Sequence, residues 1–330
     1  MTNPDAALQV ENLRVEVRTP RGWIPAVDGI SFCLHPGDML GLAGESGSGK
    51  SLAVLAVMGL LPAGARTASG TVRLDGVDLL AGGQAAWRTA RGRRVAMVFQ
   101  EPQSALNPVL TAGTLAADAQ RAHGLPVDQG RMADLLGRVG LDNPARVLRS
   151  YPHQLSGGMR QRVLIALALL CGASFLLADE PTTALDASTA AEVLGVLDRL
   201  RLEAGLGVLL VSHDLGLLAT RASRVAVMYA GRIVEEGPAS AVVGWPRHPY
   251  AHGLQACSWS LRPPGAGAGA RLPVLPGAVP GPADRGTGGC AFAPRCDAAD
   301  DRCHAAAPDL AEVAAGHSAA CWHPRAGAAA

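Results

Sequence analysis

Short apolar runs alternate with longer amphipathic segments along most of this chain, which is the pattern of an α/β protein. Runs of four to six apolar residues have the length of buried strands, and the longer segments between them have helical periodicity. This alternation predicts a mainly parallel sheet with helices packed on it. The predicted strands are 39–43, 95–99, 175–178, 207–212 and 224–228, and the predicted helices include 52–61 and 188–202.

Two further regions have a different pattern. Segments 8–17, 26–34 and 71–74 are strand-like and are separated by turns rich in Pro, Gly and Asp, which favours an antiparallel sheet. Residues 103–158 are mostly helical in pattern, with breaks at proline and glycine. The chain therefore combines a parallel core with an antiparallel β region and a helical region.

The C-terminal part is set off by a Pro/Gly/Ala stretch at 263–270, which has the composition of a linker. The tail after it contains Cys290, Cys296, Cys303 and Cys321. A loop-rich segment of about 50 residues is too small for much core, so four thiols favour a metal centre that holds it together. Their spacing alone does not separate Zn²⁺ from an iron–sulfur cluster.

Composition excludes several classes of protein. Lys and Arg total 29 against 28 Asp and Glu, so the chain is not a polybasic nucleic-acid binder. Aromatic residues make up 4%, too few for a platform that stacks single-stranded bases. The longest uncharged apolar stretch, 163–178, falls short of the ~20 residues that span a bilayer, and we interpret it as buried core. The N-terminal residues lack the apolar region of a secretory signal.

Lys50 is the one lysine in the sequence, and it lies in GESGSGKS at 44–51. This string is a phosphate-binding loop, G-x-x-x-x-G-K-S, between a predicted strand and a predicted helix. Its glycines allow successive backbone N–H groups to surround an anion, and the lysine reaches the β- and γ-phosphates. The serine after the lysine supplies a hydroxyl to Mg²⁺. The residues predicted to bind the nucleotide here are Gly44, Ser46, Gly47, Gly49, Lys50 and Ser51.

A second acidic motif follows the strand at 175–178. Asp179 and Glu180 stand at its carboxyl end, where an α/β sheet presents its chemistry. Asp179 is predicted to hold Mg²⁺, directly or through water. Glu180 is predicted to orient or deprotonate the attacking water.

Residues 155–162, LSGGMRQR, resemble the LSGGQ signature of ATP-binding cassette proteins, with Met in place of the usual Gln. The Ser156 hydroxyl and the N–H groups of Gly157 and Gly158 form a second anion site at a helix N-terminus. In the family, this site contacts ATP held by the phosphate loop of a partner subunit.

Four other elements occur in the order of that family. Gln100 resembles the glutamine that contacts Mg²⁺ or water and senses the transport subunit, and 184–186 resembles the D-loop. His213 resembles the switch histidine at the γ-phosphate. Trp23 is a candidate for the aromatic side chain that stacks on adenine.

Within the cassette proteins, the chain is most similar to ATP-binding subunits of oligopeptide and dipeptide importers. The motifs QEPQSALNP, YPHQLSGGMRQR, DEPTTALD and RHPY carry this resemblance. It implies an ATP-binding domain at 1–245, with a helical subdomain at about 101–160, and a C-terminal extension at 246–330. Nickel importers share the layout, so the substrate class stays open.

The resemblance implies an ATP hydrolase on the cytoplasmic face of the membrane that energises peptide import. The expected partners are a second, different ATPase subunit, two permease subunits and an extracytoplasmic substrate-binding protein, with no nucleic acid. Two other interpretations are a soluble cassette ATPase without a transport role and an iron–sulfur regulator that binds ATP without turnover.

The cysteine tail also resembles that of importer ATPases in which four cysteines hold a [4Fe-4S] cluster. The resemblance therefore favours an iron–sulfur cluster on Cys290, Cys296, Cys303 and Cys321, with Zn²⁺ or no metal as the alternatives. The histidines near them are possible substitute ligands that we expect to lie at the surface: His304, His317 and His323.

Overall fold

The computed structural model describes residues 7–99, 105–261, 273–285 and 288–326. Its described residues form two compact units that interleave along the sequence. The first contains Leu34–Asp38 and Arg73–Leu209, together with the chain up to Leu8. The second contains Gln9–Cys33, Met39–Val72 and the chain from Leu210 onward. The predicted domain boundary at residue 245 stays a prediction.

The secondary structure of the described residues consists of strands and mostly short helices. The strands are β1 Leu8–Thr19, β2 Gly22–Leu34, β3 Met39–Ala43, β4 Ala65–Leu74, β5 Val77–Asp78, β6 Val95–Val98, β7 Phe175–Asp179, β8 Gly207–Ser212, β9 Arg224–Tyr229, β10 Arg232–Pro238, β11 Ala311–Ala314 and β12 His317–Ala319. The helices are α1 Lys50–Val57, α2 Gly83–Ala90, α3 Ala112–Ala122, α4 Gln129–Arg138, α5 Pro144–Arg149, α6 Gly157–Leu169, α7 Ala187–Ala204, α8 Leu215–Arg221, α9 Ala239–Gly244, α10 Pro249–Cys257 and α11 Asp301–Ala305.

The second unit is built on a mixed sheet. Strand β3 runs parallel to β9, with Leu40 opposite Arg224, and β9 pairs antiparallel with β10. All five residues of β3 are buried, as expected for a strand covered on both faces. A Cβ on Gly41 would lie 3.0 Å from the Leu218 side chain, so the missing side chain lets helix α8 pack closely on β3. The core thus holds β3 rigidly just before the phosphate loop begins.

An antiparallel sheet with the order β2-β1-β4 lies in the same unit. Strand β4 begins at Ala65, earlier than the predicted start at residue 71. Its first half, ARTASG, is polar and has no apolar alternation, which is why the sequence pattern missed it. Hydrogen bonds from Arg66 to Glu16 and from Thr71 to Glu11 join β4 to β1.

The first unit contains the parallel pair β6 and β7, with Val95 opposite Phe175. Three of its helices, α3, α4 and α5, begin at side chains that accept a hydrogen bond from the backbone N–H three residues on, at Thr111, Asp128 and Asn143. Such N-caps satisfy N–H groups that have no partner inside the helix. Short helices separated by caps and turns confirm the broken helical pattern predicted for this region.

The C-terminal extension adds strands β12 and β11 to the free side of β10. At this junction Glu235 is completely buried, and its carboxylate accepts hydrogen bonds from the backbone N–H groups of Arg247 and His248. His317 Nε2 lies 2.7 Å from Glu235 Oε1 and is 3% exposed. The expectation that His317 is a surface residue is therefore wrong, because it pairs with a buried carboxylate.

The extension continues the packing at His248, the N-cap of α10. Its Nδ1 accepts a hydrogen bond from the Tyr250 N–H at 3.0 Å, and its ring also bonds to the backbone of Ala320. The side chain is 1% exposed, and burial lowers its pKa to about 4. His248 is therefore neutral in the folded chain at neutral pH.

Most predicted strands are confirmed, including 207–212 and 224–228. Strand β10 was not predicted, because its polar residues Glu235 and Glu236 obscure the apolar run. The predicted linker at 263–270 lies outside the described residues. Within the part of the chain that the structure describes, no helix has the length and apolarity to cross a membrane.

We predict that His248 makes the fold sensitive to acid. Its folded pKa lies below the ~6.5 of an exposed histidine, so its contribution to stability is complete above pH 6.5 and falls away toward pH 4. Relative to His248→Asn, which keeps an N-cap acceptor, the parent chain should lose about 3 kcal/mol of unfolding free energy across this range. Denaturant unfolding at several pH values measures this difference, and parallel pH curves for the two proteins would contradict it.

Candidate functional site

The phosphate loop of the second unit joins β3 to α1, as predicted. Gly44 has φ +151°, and a Cβ there would lie 2.3 Å from the carbonyl oxygen of Met228. Gly47 also has a positive φ, of +80°, but a Cβ there would meet nothing within 4 Å. Gly44 is therefore required by close packing, while Gly47 is favoured by its positive φ and borders open space.

Lys50 is the first residue of α1 and is 5% exposed. Its Nζ donates hydrogen bonds to the carbonyl oxygens of Gly44 at 2.7 Å and Glu45 at 3.0 Å, and lies 3.5 Å from Ser48 Oγ. The ammonium is thus held within the turn of the loop, at the N-terminal end of a helix. Both features favour an anion at this position.

The remaining predicted loop residues divide by exposure. Ser46, Gly47 and Ser51 are exposed, and Gly49 is half-buried as the N-cap of α1. The Ser51 side chain is thus open to solvent, and its role toward Mg²⁺ stays a prediction. Ser48 is completely buried, and its carbonyl accepts a hydrogen bond from the Gly231 N–H.

Glu45, which the sequence analysis did not select, is held by the C-terminal extension. Its backbone N–H donates to the hydroxyl of Tyr250 at 2.8 Å, and its carboxylate pairs with Arg295. Burial raises the pKa of the Tyr250 hydroxyl above its usual value, so the phenol stays protonated. A sequence signal existed in the RHPY string, but its contact with the loop depends on a fold that joins residues 205 positions apart.

His213 follows β8 and is exposed. The next residue, Asp214, caps α8, and its Oδ1 accepts from the backbone of Gly216 at 2.9 Å. The same oxygen accepts from the hydroxyls of Ser258 at 3.3 Å and Ser260 at 2.5 Å. The extension thus also fixes the loop that carries the predicted switch histidine.

Trp23 lies on β2 with 39% of its surface exposed. The guanidinium of Arg66 stacks over its ring at 4.3 Å and is itself bound to Glu16. The side chain is placed and oriented by this cation–π contact. Its role toward adenine stays a prediction.

In the first unit, Asp179 ends β7 and is 5% exposed, and Glu180 follows it. Glu180 has φ +45°, a conformation that costs a residue with a side chain about 1 kcal/mol or more. The Thr183 hydroxyl donates to Glu180 Oε2 at 2.8 Å. A strained backbone that is held in place by a hydrogen bond is typical of a functional carboxylate.

The signature residues lie at the start of α6. Ser156 is its N-cap and accepts from the Met159 N–H at 3.3 Å, and Ser156 and Gly157 are both exposed. A Cβ on Gly158 would lie 2.2 Å from Thr189, so this glycine allows α6 and α7 to approach closely. The 13-residue helix therefore presents its positive end and a hydroxyl to solvent. Gln100 lies outside the described residues.

The four cysteines of the tail line one small cavity of the second unit. None of these four cysteines forms a disulfide bond, and Cys303 is buried. Burial, together with the charge of the neighbouring cysteine thiolates, raises the pKa of the Cys321 thiol to about 11. Four thiols that line one cavity fit a metal centre, because a bound metal cation would stabilise their deprotonated thiolate forms. Asp300, Cys303 and His323 also lie close enough together to share one ion.

Sequence comparison relates this chain to two known families and to named proteins. The sequence family described as ABC transporter matches residues 27–183, and the family described as oligopeptide/dipeptide transporter, C-terminal region, matches residues 234–303. A Brucella abortus (strain 2308) protein, provisionally named as a peptide import ATP-binding protein, is 45% identical over 334 residues, covering 95% of this chain and 96% of that protein.

A second relative is longer than this chain. The oligopeptide transport ATP-binding protein OppD of Mycobacterium tuberculosis (strain ATCC 25618 / H37Rv) is 44% identical over 318 residues. These cover 95% of this chain and 51% of that protein, so the chain spans about half the length of OppD.

Solved structures support the fold. The ATP-binding cassette MJ0796, in a dimeric post-hydrolysis state bound to ADP and Pi, aligns with a TM-score of 0.62 at 26% identity. That alignment covers 70% of this chain and 98% of MJ0796. The structure of cbiO1 from Clostridium perfringens, part of the ABC transporter complex cbiONQ, also gives a TM-score of 0.62 at 26% identity, over 72% and 90% of the two chains.

We predict that the two glycines of the loop respond differently to a methyl group. Gly44→Ala should lower the free energy of unfolding by about 3 kcal/mol, because strain and a clash with Met228 add together. Gly47→Ala carries the strain alone and should cost about 1 kcal/mol. Denaturant unfolding without nucleotide measures both values. Equal losses would show that the close approach of Gly44 to Met228 is not a constraint.

Proposed function

Because this chain belongs to the family of ABC transporter ATP-binding subunits and carries the C-terminal region of oligopeptide and dipeptide transporters, we propose that it hydrolyses ATP to energise peptide import across a membrane. The observation that carries the proposal is the buried ammonium of Lys50, held inside a glycine loop at the N-terminus of α1. That arrangement suits the terminal phosphates of a nucleotide.

Each predicted site residue has a role in this hydrolysis. Lys50 pairs with the β- and γ-phosphates, and Glu180 orients the attacking water and accepts its proton. Ser51, Asp179 and Gln100 would hold Mg²⁺, which would neutralise negative charge on the phosphates when bound. The strained conformation of Glu180 and its bond from Thr183 support its assignment as the catalytic carboxylate.

His213 contacts the γ-phosphate in this proposal, and Trp23 stacks on the adenine. The exposure of His213 beyond the end of β8 supports an interaction with a ligand. Hydrogen bonds to the neighbouring Asp214 hold the loop that carries His213 in place. They therefore keep the histidine where it can contact the γ-phosphate.

The signature supports a dimeric mechanism. Ser156, Gly157 and Gly158 contact the γ-phosphate of ATP held by a partner subunit, which we propose is a second, different ATPase. The exposed positive end of α6 favours such an anion. ATP stabilises the closed dimer because its γ-phosphate contacts both subunits, and ADP lacks that contact.

The complete importer contains two permease subunits and an extracytoplasmic substrate-binding protein, and this chain binds the permeases at the cytoplasmic face of the membrane. Peptide is the proposed cargo, because the matched C-terminal family and both named relatives refer to peptide or oligopeptide transport. Their names do not favour the nickel alternative.

We further propose that Cys290, Cys296, Cys303 and Cys321 hold a metal centre, and that it is a [4Fe-4S] cluster. Four thiols around one cavity match the ligand number of such a cluster. When bound, the centre would stabilise a segment with little hydrophobic core. Zn²⁺ is the alternative, and the proximity of Asp300 and His323 to Cys303 supports it.

The hydrolysis proposal predicts two different defects. Lys50→Ala should weaken ATP binding and lower ATP hydrolysis by about 100-fold or more, because the loop loses its charge. Glu180→Gln should lower the rate of hydrolysis about 100-fold while it retains ATP and favours the dimer, because binding needs no base.

Nucleotide binding, phosphate release and size-exclusion chromatography with ATP measure these effects. Glu203→Gln, an exposed acid at the end of α7, is the matched control and should behave as the parent chain. Unchanged hydrolysis in Glu180→Gln would remove that residue from its role, and unchanged binding in Lys50→Ala would refute the proposed function.

The metal proposal predicts both the iron and sulfide content of the purified protein and its visible absorbance. Anaerobically purified chain should contain about four iron and four sulfide ions and absorb visible light. Cys303→Ser should lose them, while Cys171→Ser, at a half-buried cysteine outside the cavity, should retain them. Stoichiometric zinc in colourless protein would favour the alternative, and absence of any metal would contradict the proposal.

A further inference from the structure

An ion pair within the second unit joins the cysteine-rich segment to the phosphate loop. Arg295 donates from Nη1 to Glu45 Oε2 at 2.8 Å and from Nη2 to Glu45 Oε1 at 3.1 Å. The arginine side chain is 6% exposed, and that of Glu45 is 29% exposed. Two parallel charge-assisted bonds in a shielded position make this contact both strong and directional.

Other groups besides Glu45 also hold the Arg295 side chain in place. Its Nε donates to the carbonyl of Pro276 at 2.6 Å, and its guanidinium lies over the rings of Tyr229 and Phe292 at 5.7 and 5.8 Å. The bonds to Glu45 raise the pKa of the guanidinium, so it stays charged. A side chain with so little freedom transmits the position of its own backbone to its partner.

That backbone position is set by the turn between two cysteines. Arg295 ends the 3-10 turn Ala293–Arg295, which bonds to the carbonyl of Cys290 on one side and to the N–H of Cys296 on the other. Cys290 N–H donates in turn to the carbonyl of Cys303 at 2.8 Å. Backbone hydrogen bonds of Cys290, Cys296 and Cys303 therefore help to set where the guanidinium lies.

Glu45 connects this arginine to the ammonium of the loop. Its carboxylate is held by Arg295, its N–H by Tyr250, and its carbonyl accepts from Lys50 Nζ at 3.0 Å. Loss of the carboxylate contact would release the residue that anchors Lys50 from one side. Arg295 acts through Glu45 and touches no phosphate in this scheme.

We propose that Arg295 is a positioning residue for the phosphate loop, and that the four-cysteine segment thereby sets the affinity of the loop for nucleotide. This inference rests on the proposed ATP site and extends it, because it makes a residue outside every nucleotide motif part of ATP binding. The segment acts on the loop through a defined contact as well as through general stability.

The test compares full-length variants by their Kd for MgATP and by KM and kcat for hydrolysis. Arg295→Met and Glu45→Gln should each raise Kd and KM about tenfold and leave kcat within about twofold, because the loop binds less well but its catalytic groups are intact. Arg295→Lys should give an intermediate Kd, since an ammonium pairs with only one carboxylate oxygen.

A double variant tests whether Arg295 and Glu45 affect MgATP binding through their ion pair or independently of each other. Arg295→Met combined with Glu45→Gln should bind MgATP no more weakly than the weaker single variant, because both changes break the same contact. Arg302→Met is the matched control. Arg302 lies in the same segment and stacks on Trp322 at 3.6 Å, away from the loop, so its loss should leave Kd unchanged.

The outcomes separate this inference from the proposed function. Unchanged Kd in Arg295→Met, additive losses in the double variant, or an equal loss in Arg302→Met would overturn the inference. Should Arg295→Met fail to fold, Glu45→Gln and Arg295→Lys still decide it through the same comparison. Lys50→Ala tests the ATP site itself, and unchanged MgATP binding in that variant would refute the proposed function. If Lys50→Ala loses MgATP binding while Arg295→Met keeps the Kd of the parent chain, only the inference is overturned.

Discussion

The nucleotide loop depends on a steric constraint between two buried backbone segments. Gly44 lies so close to the carbonyl of Met228, on the neighbouring strand β9, that a Cβ would be 2.3 Å away. Hydrogen alone fits there, and the chain can then turn with a φ that side chains disfavour. The turn brings the carbonyls of Gly44 and Glu45 to the ammonium of Lys50. The position of the ammonium that would bind phosphate thus depends on close packing between β3 and β9.

The C-terminal extension contributes to the nucleotide site as well as to stability. It supplies strand β12 beside β10, the phenol of Tyr250 at Glu45, and hydroxyl groups at Asp214. These contacts reach the phosphate loop and the loop after β8 by independent hydrogen bonds. A binding loop works best when its geometry is fixed in advance, and the extension helps to fix both loops from outside the nucleotide motifs.

Elements with strong local signals were predictable. The strands at 207–212 and 224–228 are continuous apolar runs, and the phosphate loop is recognisable because glycine positions and a lysine are fixed within eight residues. Elements stabilised by distant partners were not. Strand β10 carries two acids, one of which is paired with His317 some 82 positions later. A sequence window cannot show that such an acid has a distant partner, so the apolar pattern gave no strand at this position.

The sequence by itself determined the chemistry: which residues can bind phosphate, supply a base or offer thiols, since side-chain type and short spacing decide those abilities. Tertiary structure alone decided which of these groups are connected. The pairing of Arg295 with Glu45 joins positions 250 residues apart, and the burial of His317 requires strand β12 to lie beside β10. Such contacts depend on chain topology and shielding from water, and neither property can be derived from the residues of one short segment.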